Sequence, residues 1–171
     1  KRLDGGGFGE VYLGHDTHIE RDVAIKVFRP KDENLIAFAT SSVDEGLAIL
    51  RQRFVDEAHI LANLEEAQYV INVLDFGELE DGSPWYTMPY LTNNLANLIG
   101  KDVFDVLAID ELEDDDKPRA VELASAIKYI TQITEGLASA HKQGLVHRDI
   151  KPDNILFTDT GKIQIVDFGI A

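Results

Sequence analysis

One run of residues constrains this chain more than any other: His147, Arg148, Asp149, Ile150, Lys151, Pro152, Asp153 and Asn154. It lies between a long helical pattern stopped by Gly144 and two short strand patterns over 155–158 and 162–166. Asp149 is placed to accept a proton from, or to orient, an attacking hydroxyl. Lys151, two residues on, suits stabilisation of a transferred phosphoryl group. Asn154 offers a neutral oxygen and Asp167 a charged one, which is what a hard cation such as magnesium takes. Six specified residues at fixed spacing arise by chance at roughly one in tens of millions per position. The fold must therefore set a polar, charge-bearing loop between a helix and a hairpin.

The rest of the chain supplies that setting. Residues 1–29 alternate like strands, with the cluster Gly5, Gly6, Gly7 and Gly9 between two of them. Val23, Ala24, Ile25, Lys26, Val27 and Phe28 read as a third, buried strand that Pro30 ends. Residues 31–43 show no clear pattern. From about 44 to 66, Leu47, Leu50, Phe54, Ala58, Leu61 and Leu64 recur three or four apart, which predicts a helix. Residues 70–76 and 85–88 read as two further strands around the turn Asp81, Gly82, Ser83, Pro84. Thr92, Asn93 and Asn94 cap a short helix to about Ile99. Residues 110–116 are acidic apart from Leu112 and read as a solvated loop. Pro118 opens a long helix to about His141, with Val121, Ala124, Ile127, Ile130, Ile133 and Leu137 as its apolar face. No internal repeat is present. Strands with one helix precede helices with one hairpin, an α+β pattern of two lobes, 1–91 and 92–171.

Composition narrows the function classes. A formal charge of −15, from 31 acidic and 16 basic side chains, argues against a nucleic-acid backbone as partner. There are no cysteines, so disulfides and thiolate metal sites are excluded, which fits a reducing cytoplasm. No apolar run approaches the roughly 20 residues that span a bilayer. The chain is expected in the cytoplasm, or as the cytoplasmic part of a longer protein.

Two further features point to phosphate chemistry. Closely spaced glycines between strands let backbone N–H groups approach phosphate oxygens with no Cβ in the way. A plain flexible hairpin explains the glycines equally well, but the continuation Phe8, Gly9, Glu10, Val11 brings Val11 down on a flat ring beyond the phosphates. Lys26 stands in an otherwise apolar strand, where a lone ammonium is costly. Glu57 lies three after Phe54 and four before Leu61, on the apolar stripe of its helix. A buried-face acid and a buried-strand lysine are natural partners, and together they aim the ammonium at phosphate oxygens.

These residues resemble a eukaryotic-like serine/threonine protein kinase of bacterial type. Val23-Ala24-Ile25-Lys26 resembles the third-strand lysine motif and Glu57 the helix-C glutamate. His147-Arg148-Asp149 is similar to the catalytic loop, and Asp167-Phe168-Gly169 to the magnesium motif at the family's spacing. Lys151 resembles serine/threonine rather than tyrosine kinases. The resemblance implies a protein-kinase-like fold, with a small β-rich N-lobe carrying helix C and a truncated, mainly helical C-lobe. It implies ATP with Mg2+, or Mn2+ in its place, and transfer of the γ-phosphate to Ser/Thr hydroxyls of proteins. Catalysis would fall to Asp149, Lys151, Lys26 and Glu57, and metal binding to Asn154 and Asp167. Gly6 and Gly9 would cover the phosphates. Leu3, Val11, Ala24 and Leu156 would sandwich the adenine, Met88 would be the gatekeeper, and Pro89 and Leu91 the hinge. Leu61, Val73, His147 and Phe168 would form the stack that signals an active arrangement.

The chain also departs from the family. Aligned on Phe8-Gly9-Glu10-Val11, the three glycine positions fall on Asp4, Gly6 and Gly9, so the first is an aspartate. Its carboxylate predicts weaker nucleotide affinity, not loss of it. The interval from Lys26 to Glu57 is longer than usual, which places an insertion in 31–46, and a second, acidic one lies around 101–117. The activation segment, the Ala-Pro-Glu motif and the later helices do not follow Phe168 and Gly169 in these 171 residues. The 119–141 helix is thus expected to expose apolar surface. Three readings follow: an active kinase; a nucleotide-binding pseudokinase-like or split-kinase piece, completed by a homodimeric copy or a complementing C-lobe; and a small-molecule kinase, disfavoured because such relatives usually lack the full Lys151-Pro152-x-Asn154 continuation. The chain is expected to be part of a longer protein. A stable, active natural species of only 19.0 kDa in a mass measurement would overturn that expectation.

Overall fold

The computed structural model describes residues 1–5, 9–30, 43–64, 67–100 and 106–168. The chain forms two compact units: Lys1–Glu65 with Ile71–Tyr90, and Glu66–Val70 with Leu91–Gly169.

The first unit is a five-stranded antiparallel sheet with one long helix. Its strands are β1 (Arg2–Gly5), β2 (Gly9–Asp16), β3 (Arg21–Phe28), β4 (Asp75–Glu78) and β5 (Pro84–Pro89), in the order β1-β2-β3-β5-β4. β3 is central and buries Val23, Ala24, Lys26, Val27 and Phe28, as a strand covered on both faces does. Helix α1 (Val43–Ala62) buries Leu50, Phe54, Glu57, Ala58 and Leu61, one stripe of a 3.6-residue period. Phe54 anchors it, with ring centroids 5.7 Å from Phe28 and 5.2 Å from Tyr86.

A tight turn joins β4 to β5. Gly82 takes φ 79°, Leu79 N–H donates to Ser83 O at 2.9 Å, and Ser83 N–H to Asp81 Oδ1 at 2.9 Å. The bonds from the Ser83 backbone and hydroxyl, then from Arg29, lower the Asp81 carboxyl to about 2. Arg29 and Arg51 both reach this turn, Arg29 through Ser83 and Asp81 and Arg51 through Glu78 and Gly82 O.

The second unit is mainly helical around a three-stranded sheet of β6 (Asn93–Asn94), β7 (Ile155–Phe157) and β8 (Ile163–Ile165). Helix α2 (Leu95–Ile99) opens on a reciprocal cap: Asn97 N–H donates to Asn94 Oδ1 at 2.8 Å, and Asn94 N–H to Asn97 Oδ1 at 3.0 Å. A 3₁₀ turn covers Val106–Glu111, and helix α3 (Leu123–Lys142) runs against the β7–β8 hairpin. Buried Gln132 accepts from Ile163 N–H at 3.1 Å, Lys128 Nζ donates to Gly161 O at 3.0 Å, and Tyr129 meets Phe157 at 5.1 Å. Val70 bridges Ile165 in parallel.

Three elements differ from the sequence reading. The strand expected over 70–76 begins only at Asp75, because residues 67–70 belong to the second unit and 71 onward to the first. Helix α3 starts at Leu123, not Pro118: Arg119 N–H donates to Ile99 O at 2.7 Å, and its side chain caps the carbonyls of Leu98 and Asp115. The acidic loop is helical in its first part. The buried stripe of α3 is Gln132, Gly136 and Ala140; Leu123, Ile127 and Ile130 are exposed, which is the apolar surface expected of this helix. The expected insertion 31–46 and the start of the one at 101–117 lie largely outside the described residues. No described helix is long and apolar enough to cross a membrane.

Gly136 is the close-packing point of α3. A Cβ there would stand 2.8 Å from Ile165 Cδ1 and 3.0 Å from the Tyr69 carbonyl oxygen. Alanine raises helix propensity by about 1 kcal/mol, but overpacking against a backbone carbonyl costs about 1–3 kcal/mol. Gly136→Ala should therefore lower stability in urea denaturation, and a stabilised variant would show that propensity dominates.

Candidate active site

The first unit places its charge pair through strand register. Val11 pairs with Lys26 across β2–β3, and Lys26 with Tyr86 across β3–β5. Cross-strand partners project to one face, as do residues two apart. Val11, Ala24, Lys26, Tyr86 and Met88 therefore share a face, the face on which Phe54 of α1 packs. Lys26 Nζ stands 3.3 Å from Glu57 Oε1, with their side chains 6% and 4% exposed. Tyr86 OH donates to the same Oε1 at 3.0 Å. The Lys26 ammonium also lies 5.6 Å from the Tyr86 ring centroid and 5.9 Å from that of Phe54. A cation and an anion this buried persist only with such compensation.

The second unit builds a different constellation around the 147–154 loop. His147 is 1% exposed, its ring tilted against that of Phe168 with centroids 4.6 Å apart. Its Nδ1 accepts from Asp149 N–H at 3.2 Å, so its Nε2 carries the proton and donates to Val166 O at 2.9 Å. One imidazole thereby ties the residue two before Asp149 to the residue before Asp167. Arg148 and Asp167 both take the left-handed conformation, at φ 65° and 61°. That conformation is costly for a side chain with a Cβ and collects at functional sites.

Asp149 is held from two sides. Lys151 Nζ lies 2.8 Å from its Oδ2, and Asn154 Nδ2 donates to its backbone oxygen at 2.8 Å and to Oδ2 at 3.3 Å. The Asp149 bond, above all, holds the Lys151 ammonium's pKa above its ordinary value, against partial desolvation. Asn154 is buried and its amide nitrogen is committed to Asp149, which leaves Oδ1 as its oxygen donor for other chemistry. The 3₁₀ turn Pro152–Asn154 sets this geometry, and Val166 N–H donates to Asn154 O at 3.0 Å.

Of the residues singled out from sequence, Lys26 and Glu57 meet in the first unit. Asp149, Lys151 and Asn154 meet in the second. Asp167 is exposed beside buried Val166 and Phe168. Val11, Ala24, Met88 and Pro89 belong to the sheet of the first unit; Leu3 is there too, 38% exposed in a β1 bulge. Leu91 and Leu156 belong to the second unit. In the expected stack His147 touches Phe168, while Leu61 and Val73 are residues of the first unit. Gly6 lies outside the described residues, and of Asp4 only the backbone, in β1, is described. Gly9 has a steric reason of its own, since a Cβ would stand 2.7 Å from the Val27 carbonyl oxygen. Tyr86 was missed; its signal was a tyrosine in a buried strand, two residues before Met88.

A family model described as "Protein kinase domain" matches residues 1–171. Serine/threonine-protein kinase PknD of Chlamydia trachomatis is 35% identical over 97% of this chain and 16% of its own length. Serine/threonine-protein kinase pkn2 of Myxococcus xanthus is 33% identical over 99% of the chain and 17% of its own length. Probable serine/threonine-protein kinase PknB of Lactococcus lactis is 31% identical over 100% of the chain and 23% of its own length. The chain thus spans less than a quarter of each of these relatives. A solved chain described as "PpkA-294 apo form" shares the fold at a TM-score of 0.68 and 23% identity, over 99% of this chain and 57% of that one.

The buried pair makes a stability prediction. Glu57→Ala leaves the Lys26 ammonium buried without its carboxylate and should cost about 3–5 kcal/mol. Lys26→Met combined with Glu57→Leu should cost less than the sum of the two single changes in urea titrations. Additive losses would show that the two groups do not interact.

Proposed function

The chain belongs to the protein kinase family, and on that premise we propose that its parent protein transfers the γ-phosphoryl group of ATP to serine or threonine hydroxyls of protein substrates. The observation that carries this reading is the Asp149 carboxylate, half-exposed yet fixed through Oδ2 by Lys151 at 2.8 Å and Asn154 at 3.3 Å. Fixing one oxygen orients the group so that it receives or aligns the proton of an acceptor hydroxyl. Lys151, whose pKa the bond to Asp149 raises further, supplies positive charge beside that hydroxyl as the phosphoryl group moves. Lys26, backed by Glu57, is assigned to phosphate oxygens of ATP. Gly6 and Gly9 are assigned to the phosphate loop, and Leu3, Val11, Ala24, Met88, Pro89, Leu91 and Leu156 to the adenine.

Asn154 Oδ1 and the Asp167 carboxylate are hard oxygen donors and suit Mg2+, or Mn2+ in its place. When bound, the metal neutralises phosphate charge. Two protein ligands agree with a cation that completes its shell from phosphates and water. The cysteine-free composition supports a cytoplasmic site, or the cytoplasmic part of a longer protein.

One observation favours a second reading, a module that binds nucleotide without phosphotransfer until a further segment, a second copy or a complementing C-lobe is added. Leu123, Ile127 and Ile130 of α3 are 73%, 56% and 64% exposed, an apolar stripe of the kind that marks a contact surface. Assays on the full-length protein separate the two. Asp149→Ala should lower kcat by about 10²–10⁴-fold while ATP-dependent thermal stabilisation persists. Equal turnover by variant and wild type would overturn the role of Asp149, and wild-type stabilisation without turnover would favour the second reading.

A further inference from the structure

We propose that Tyr86 is a positioning residue for ATP binding: its hydroxyl shares the Glu57 carboxylate with Lys26 and keeps that carboxylate in place when the lysine engages nucleotide. The inference rests on the assignment of Lys26 to ATP phosphates and adds a residue to that machinery.

Four observations converge on it. Tyr86 is the register partner of Lys26 across β3–β5, so the two side chains leave the sheet on the same face. Tyr86 OH and Lys26 Nζ both reach Glu57 Oε1, at 3.0 and 3.3 Å. The phenol is 1% exposed and the carboxylate 4%, so water does not substitute for either donor. The tyrosine ring also backs the ammonium, 5.6 Å from its centroid.

The chemistry follows from what each donor does. An ammonium drawn toward phosphate oxygens shares its hydrogen bonds and its charge, which weakens its hold on Glu57. A neutral O–H on β5 has no attraction to phosphate comparable to its bond with the carboxylate. It therefore holds α1 to the sheet through Glu57 while the lysine turns to nucleotide. Phenylalanine at this position would keep the packing on Phe54 and the ring behind Lys26, and would remove that tether.

The test is a double-mutant cycle in the full-length protein: wild type, Tyr86→Phe, Lys26→Met, and both. MgATP affinity is measured by calorimetry, with KM for ATP, KM for protein substrate and kcat from steady-state assays. Loss of a hydrogen bond to a charged group predicts an ATP affinity about tenfold weaker for Tyr86→Phe. KM for protein substrate should stay within about twofold. In the Lys26→Met background the same change should have no effect on ATP affinity, which a merely structural tyrosine would not show. Wild-type ATP affinity in Tyr86→Phe, or an equal loss in both backgrounds, would overturn the inference. So would failure of Tyr86→Phe to fold, which would make the hydroxyl a structural group. If wild type binds MgATP and transfers no phosphoryl group, the kinase reading falls while the affinity cycle still decides Tyr86.

Discussion

The first unit depends on one interaction, a lysine ammonium and a glutamate carboxylate removed together from water. Each ion alone would cost several kcal/mol in that interior, so the elements that carry them must arrive in one geometry. β3 is central in the sheet, which puts Lys26 between Val11 and Tyr86. α1 must present Glu57 on its buried stripe, and Phe54, wedged between Phe28 and Tyr86, fixes the rotation that does so. The sheet order, the helix phase and the aromatic cluster are thus three conditions on a single contact. An apolar pair would bury as readily and impose none of these three conditions.

The second unit solves a related problem with neutral groups. His147, Asn154 and Gln132 are buried polar side chains, and each spends its hydrogen bonds on backbone or on Asp149. Two of those bonds link residues distant in sequence, His147 to Val166 and Gln132 to Ile163, while Asn154 closes the loop locally on Asp149. The left-handed backbone at Arg148 and Asp167 is tolerable because both flanks are tied down in this way. The Asp149 and Asp167 carboxylates sit exposed on backbone whose supports are inside.

What was legible in the sequence divides along a physical line. Side-chain chemistry at short spacing was legible: Asp149, Lys151 and Asn154 are close in sequence and close in space. So was the Lys26–Glu57 pair, because a charge in an apolar pattern demands a partner of opposite sign. The start of α3 was not, since Pro118 is a good first residue for a helix and the competing bond, Arg119 N–H to Ile99 O, is tertiary. The buried stripe of α3 was not legible either, for a related reason. Helical periodicity ranks isoleucines above Gly136 and Gln132, but close approach to Tyr69 and a bond to Ile163 select the small and the polar residue. The break at 70–71 could not be seen either, because an apolar run carries no mark of the point where a chain passes from one unit to another.

Glycine shows how far such legibility extends into function. Gly9 was read as a phosphate-facing residue, yet the Val27 carbonyl, 2.7 Å from where a Cβ would stand, requires glycine with no ligand present. Its presence is therefore accounted for by the sheet itself. Tyr86 is the converse. Its apolar strand explains a large buried ring, but not the hydroxyl, which a phenylalanine would spare the interior. A buried polar atom that packing does not require is better explained by what it holds, and here it holds the carboxylate that holds the lysine.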